Sequence, residues 1–270
     1  MTSFQSLVLG VVQGVTEFLP ISSTAHLRIV PALLGWGDPG AAYTAVLQLG
    51  SLLAVVGYFL PELWKMVRAA LAALGDRSRP PSRPARELLY LIVGTVPAGL
   101  AGVAFRHAIE GSLRSLWVIA LALIAVALLL ALVERRARHV REFEEITLRD
   151  ALLIGCAQAF AVIPGVSRSG STLAAAMALG LKREAAARFS FLLSVPVVAA
   201  AGVFEMPKVL KAHDLHGSTL AIGLVAAAVA GYASIAWLLR FLRARSTIPF
   251  VIYRVALGLI LIALLAGGRL

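Results

Sequence analysis

Cysteine is nearly absent from this chain: Cys156 is the single one, which excludes an internal disulfide and a metal site built on thiolates. Charge is also scarce. Only 14% of the 270 residues are Asp, Glu, Lys or Arg, and the acidic ones number 14 against 25 basic. The five histidines are scattered with no His-x-x-x-His pair, so no helical zinc signature is present. Alternating segments of about ten residues, the mark of a membrane β-barrel, are missing as well. The N-terminus carries no basic segment before its apolar run, so a cleaved leader is not expected.

What fills the chain instead is apolar. Hydrophobic residues make up 60%, with a mean hydropathy of +0.88, well above a soluble domain. Long apolar runs of this kind predict membrane-spanning helices. Spans are predicted at residues 41–60 (ended by Pro61), 88–105, 115–133, 185–204, 218–239 and 249–267. Basic loops are predicted at 62–86, with a non-helical tip at Pro80, Pro81 and Pro84, and at 134–149. Together with Lys182, Arg183, Arg188, Arg240, Arg243 and Arg245 they hold 17 of the 25 Lys and Arg. That asymmetry assigns one face to the cytoplasm. The net charge of +11 is therefore a topology and lipid signal rather than a nucleic-acid signal.

Two stretches fit neither a full span nor a loop. The first, Gln13-Gly-Val-Thr-Glu17-Phe-Leu-Pro20-Ile-Ser22-Ser23-Thr24-Ala-His26, returns in weaker form as Gln158-Ala-Phe-Ala-Val-Ile-Pro164-Gly-Val-Ser167-Arg168-Ser169-Gly170-Ser171-Thr172. Gln13 and Gln158 are 145 positions apart, as are Ser22 and Ser167. Each copy reads as helix, proline break, hydroxyl cluster, helix. The halves on either side of the break are too short to cross a bilayer, so both are read as re-entrant hairpins. Each half of the chain then has one hairpin and three spans. Three is odd, so the second half enters the membrane upside down. The expected fold is an all-α polytopic membrane protein, with six transmembrane helices plus two re-entrant helix-loop-helix hairpins in an inverted-topology repeat. It forms a single membrane domain over 1–270, with repeat 1 about 1–140 and repeat 2 about 145–270. Hairpin tips so arranged meet near mid-depth.

The polar residues of the two copies carry the chemistry. A carboxylate in an apolar segment costs about 2.5–3.5 kcal/mol, so Glu17 needs a purpose. Gln13, four residues earlier, faces the same way. Their oxygens suit a hard cation, Mg²⁺ or Ca²⁺. Ser22, Ser23 and Thr24 offer N-cap hydroxyls after Pro20, and a helix start of this kind favours an anion. His26 follows Ser23 by one turn, a candidate base for a candidate nucleophile. In the second copy Gly165 and Gly170 allow close backbone approach, while Ser167, Ser169, Ser171 and Thr172 are donors. Arg168 demands a counter-anion at membrane depth, and its forked donors match phosphate. An Arg168–Glu17 pair is expected to order the site when it is empty. Gln48 is expected to face the cavity. Arg254 is read as interfacial, with a snorkelling side chain. Tyr43, Tyr90, Tyr232 and Tyr253 are read as belt residues. Ala/Gly stretches such as Ala226–Ala228 are read as close helix packing.

The two motifs together closely resemble the bacterial undecaprenyl-diphosphate phosphatase family of the bacitracin-resistance type, over nearly the whole chain. The family pattern places Glu or Gln at the position of Gln13, and often Gly where Ala25 stands here. The resemblance implies hydrolysis of a C55 polyprenyl diphosphate to its monophosphate, the lipid carrier of cell-wall synthesis. It implies a divalent cation, a place in the bacterial cytoplasmic (inner) membrane, and a site opening toward the outer face. By motif match Glu17, Ser23, His26 and Arg168 carry over as catalytic. Gln13 carries over as an assistant to Glu17, and Ser22, Thr24, Ser167 and Ser169 as phosphate contacts. Gly165 and Thr172 join the expected substrate-binding set. The expected partners are the lipid and the membrane, with a homodimer as the candidate assembly and no nucleic acid. The rival reading is a polyprenyl-phosphate flippase or an ion-coupled anion transporter using the same site, since carriers also use paired broken helices.

Overall fold

The computed structural model describes residues 1–75, 78, 80–211 and 217–269. Arg77 and Arg79 of the expected basic loop lie outside the described residues. Within them the chain is all-helical, with twelve α-helices. They are α1 (Ser3–Phe18), α2 (Ser23–Leu34), α3 (Gly40–Tyr58), α4 (Leu60–Gly75), α5 (Arg83–Ala104) and α6 (Arg106–Glu110) in the first part. They continue as α7 (Leu116–Arg136), α8 (Leu148–Ala159), α9 (Arg168–Ala178), α10 (Arg183–Lys211), α11 (Gly217–Ala244) and α12 (Ile248–Ala266). Single 3₁₀ turns occupy Ser112–Arg114, Phe143–Glu145 and Phe160–Val162. Helices α3, α5, α7, α10, α11 and α12 are long and apolar enough to cross a membrane, as the six predicted spans require. Their outer faces carry exposed Leu53, Leu100, Leu121, Val225, Ile252 and Leu259, the surface that lipid would cover.

The two short helix pairs break where the sequence says they must. Pro20 has no N–H and bars the preceding residue from the helical region; Leu19 is accordingly extended at φ −66°, ψ 141°. Ser22 then caps α2, its Oγ accepting from the Ala25 N–H at 3.4 Å. The second pair repeats this: Ile163 is extended before Pro164, and the Ser167 Oγ accepts from the Gly170 N–H at 3.0 Å. Both caps hold an unusual backbone, with φ of 74° at Ser22 and 73° at Ser167.

One expectation is overturned. Residues 62–86 are not simply a loop, because α4 runs to Gly75. Pro61 sits in its first turn, where the missing N–H is harmless. Met66 is buried while Trp64, Leu71 and Leu74 are exposed alongside Lys65 and Arg68, a composition suited to the lipid interface. Pro84 likewise opens α5 rather than marking a non-helical tip.

Packing between the halves relies on small residues. A side chain on Gly14 of α1 would strike the Ala227 carbonyl and Gly231 of α11. Gly50 of α3 presses on Leu224 and Ala227, and Gly155 of α8 on Gly94 of α5. Backbones meet this closely in lipid because association there depends on contact rather than on water exclusion. The Ala226–Ala228 stretch is thus a packing seam, as expected.

Candidate active site

The C-terminal turn of α1 and the first turns of α2 and α9 converge at the base of a cavity of about 500 Å³. Glu17 is the centre. Its Oε1 accepts from the Arg168 guanidinium at 2.8 Å, so residues 151 positions apart in sequence are in direct contact. Its Oε2 accepts from Gln13 Nε2 at 2.8 Å and from Ser23 Oγ at 2.5 Å. The carboxylate is 5% exposed and the guanidinium 12%, which leaves this ion pair little screened by water. A second Arg168 nitrogen donates to the Ser190 carbonyl at 3.3 Å. Gln13 Nε2 also reaches Ser51 Oγ at 3.2 Å, while Gln13 Oε1 is buried without a hydrogen-bond partner.

The expected site residues divide into two layers. Glu17, Ser22, Ser23, Thr24, Ser167 and Arg168 face the cavity, as does Gln48. Gln13, His26, Gly165, Ser169 and Thr172 lie behind that surface and hold it. Ser169 Oγ donates to the Leu19 carbonyl at 2.9 Å, tying the second break to the first. Thr172 Oγ1 is bonded to the Arg168 carbonyl at 2.7 Å and to Ser190 Oγ at 2.6 Å. Gly165 takes φ 96°, with Ile119 and Ala122 pressed against it.

His26 does not meet Ser23 as a base would. Its Nδ1 lies 2.7 Å from the Ser22 carbonyl and its Nε2 2.6 Å from the Tyr253 hydroxyl. A carbonyl only accepts, so Nδ1 carries a proton, and in the neutral ring Nε2 accepts from tyrosine. The group that takes the Ser23 hydrogen bond is Glu17.

One belt assignment is corrected by burial: Tyr43 is buried, with its hydroxyl 2.9 Å from Ser6 Oγ. Tyr253 is half-exposed and also engages His26 with its hydroxyl. Arg254 is a larger correction. It does not snorkel: it is fully buried and donates only to backbone carbonyls, at Pro20, Ala122, Leu123, Gly165 and Val166. Its signal was present in the sequence. An arginine amid the apolar residues of 249–267 is as anomalous as Glu17 or Arg168. Gln158 was also passed over, though it stands where Gln13 stands in the first copy. It lines the cavity, and neither end of its amide has a partner.

The cavity walls are apolar and built of small side chains, Ala98, Gly99 and Gly102 from α5 and Val197, Ala200 and Ala201 from α10. Arg106, Glu110, Arg114 and Glu205 also line the cavity. Arg114 Nε donates to Asp38 at 3.0 Å, and Arg28 lies 3.2 Å from the same carboxylate. Burial works to raise the Asp38 pKa, but the bonds from Arg114 and the Gly40 N–H, with both arginine charges, win and hold it below its ordinary value. The arrangement is a polar base with one guanidinium and a ring of hydroxyls beside apolar walls, fit for a molecule with an anionic head and a long hydrocarbon tail.

Residues 6–260 match the family described as "Bacitracin resistance protein BacA". The chain is 51% identical to the undecaprenyl-diphosphatase of Myxococcus xanthus, covering 100% of this chain and 91% of the relative. It is 49% identical to the undecaprenyl-diphosphatase of a Nocardioides species, over 98% of this chain and 97% of the relative. The undecaprenyl-diphosphatase of Gloeobacter violaceus is 51% identical, over 99% and 93%.

Proposed function

The chain belongs to the bacitracin-resistance BacA family, and on that premise we propose that Glu17, Ser23 and Arg168 perform its reaction at the base of the cavity. It is a multi-pass membrane enzyme, an undecaprenyl-diphosphatase, which releases inorganic phosphate and leaves undecaprenyl phosphate for reuse in cell-wall synthesis. The family favours this hydrolase over the carrier reading. The observation that carries the residue assignment is the single carboxylate of Glu17 receiving both the Ser23 hydroxyl and the Arg168 guanidinium.

Ser23 Oγ attacks the terminal phosphorus and Glu17 Oε2 takes its proton. The bond from phosphorus to the bridging oxygen breaks, and that proton passes to the departing lipid phosphate. Water then attacks the phosphoserine and gives a proton to Glu17, and the Ser23 oxygen leaves with it, freeing phosphate. Arg168 and the donors of the two helix starts face the charge that spreads over the transferring group, the main demand of phosphoryl transfer. Gln13 fixes the Glu17 carboxylate. Ser22, Thr24 and Ser167 contact phosphate oxygens, and His26 holds the first turn of α2 through Ser22.

A cation fits here as a shared guest. Among the described residues no cluster of three or more His, Cys, Asp or Glu could cage a metal, but Gln13, whose Nε2 meets Glu17, has its Oε1 buried and unengaged, and turning the amide over would bring that oxygen to the carboxylate. Those two residues would hold Mg²⁺ or Ca²⁺, hard cations that take oxygen ligands. When bound, such an ion would supply charge neutralisation for the diphosphate.

The two broken helix pairs re-enter the membrane as hairpins of an inverted repeat, about 1–140 and 145–270, within one domain. Support comes from their matched caps and from the crossed packing, α1 on α11 and α8 on α5. The basic clusters face the cytoplasm, so the cavity mouth near Arg106 and Arg114 opens to the outer face of the bacterial inner membrane. A homodimer is the proposed assembly. Purified protein in detergent should release phosphate from undecaprenyl diphosphate, lose that activity with a chelator and regain it with Mg²⁺ or Ca²⁺. No release would sink the hydrolase assignment, and release indifferent to chelation would sink the cation.

A further inference from the structure

We propose that Arg254 is a positioning residue for this reaction: one guanidinium clamps both helix breaks and so sets where Glu17 and Ser23 stand relative to Arg168. The proposal rests on the hydrolase reading. Arg254 projects from the first turns of α12, behind the site rather than into the cavity. Its Nη1 donates to the Pro20 carbonyl at 3.0 Å. Its Nη2 donates to the Gly165 and Val166 carbonyls at 2.9 and 3.1 Å. Two carbonyls of α7 complete the set, Leu123 from Nε at 3.1 Å and Ala122 from Nη2 at 3.4 Å. Pro20 and Gly165 are equivalent positions of the repeated motif, each two residues before its serine cap. One planar group therefore grips the same carbonyl in both copies with different nitrogens.

The backbone at the grip explains why a clamp is needed. Among the described residues only Ser22, His139 and Ser167 are non-glycine with positive φ. Two of these three are the caps that follow the clamped carbonyls. Such a conformation persists only where its surroundings over-determine it. Ser22 and Ser167 lead directly into Ser23 and Arg168, so an error of a fraction of an ångström at the break is passed to the reacting groups. Among the described residues no carboxylate bonds to Arg254, and its acceptors are all backbone carbonyls. The guanidinium is retained for its fan of directed donors, which an ammonium cannot reproduce across two separate segments.

The test compares R254K and R254Q with the parent as full-length purified protein. Turnover of undecaprenyl diphosphate is expected to fall about 100-fold in both, the scale of a small misplacement at the reacting centre. KM should change little, and so should affinity for a methylene-bridged diphosphonate analogue. Lysine should do no better than glutamine. Hydrogen exchange gives a readout independent of turnover: residues 19–25 and 163–170 should both exchange faster in R254K while α3 and α11 do not. Parental turnover in either folded variant would overturn the clamp. So would recovery by lysine, which would make the charge the relevant property. Loss of analogue binding and thermal stability in step with turnover would reduce Arg254 to a fold residue. Unchanged exchange at both breaks would end the proposal even if the parent released no phosphate, an outcome that would separately refute the hydrolase reading.

Discussion

Arg168→Ala is expected to lower kcat for undecaprenyl diphosphate by about 10³–10⁵-fold, the range seen when an arginine facing a transferring phosphoryl group is removed. The size follows from the setting. The guanidinium is 12% exposed, in surroundings where water screens charge poorly. Removing it also leaves Glu17, 5% exposed, as an unpaired anion facing an incoming diphosphate, so KM should rise together with the fall in kcat. The fold should survive, because α9 keeps its Ser167 cap and the Thr172–Ser190 bond. Phosphate release by the purified variant checks this, with thermal unfolding to show that the protein is intact. Turnover near the parent's would remove Arg168 from the chemistry.

Glu17→Gln is expected to cost about 10²–10⁴-fold in kcat, the usual worth of a positioned proton acceptor, and with the opposite effect on KM. The substitution preserves shape, and an amide oxygen can still accept from Ser23 or Gln13. It cannot take a proton. Arg168, released from its carboxylate partner, becomes more available to phosphate, so KM should stay level or fall. A rise in KM with kcat unchanged would mean that Glu17 binds substrate and moves no proton.

The site was legible in the sequence wherever a residue violated its surroundings. Glu17 and Arg168 are charges in apolar stretches, and the 145-residue spacing put them in matching copies of one motif, so their pairing could be expected from sequence. The six spans followed from length and hydropathy, and the breaks from Pro20 and Pro164. Roles that depend on direction were less visible. Spacing put His26 one turn from Ser23, but a ring has two nitrogens, and only the fold shows them turned to Ser22 and Tyr253. Arg254 broke the same rule as Glu17. Its position near the start of the last predicted span suggested an interfacial escape, because sequence does not show that α7 and both breaks close over it. Helix α4 was hidden by its own basic residues, which read as a loop while its apolar stripe packs against the bundle through Met66.

A double-mutant cycle on Glu17→Gln and Arg168→Ala asks whether the two halves of the chain form one catalytic unit. If both residues act on the same phosphoryl group, removing the second after the first costs little more, and the double variant should turn over no more slowly than the worse single variant. If their losses multiply, the acid and the arginine act independently, and a shared site built from the two breaks is contradicted.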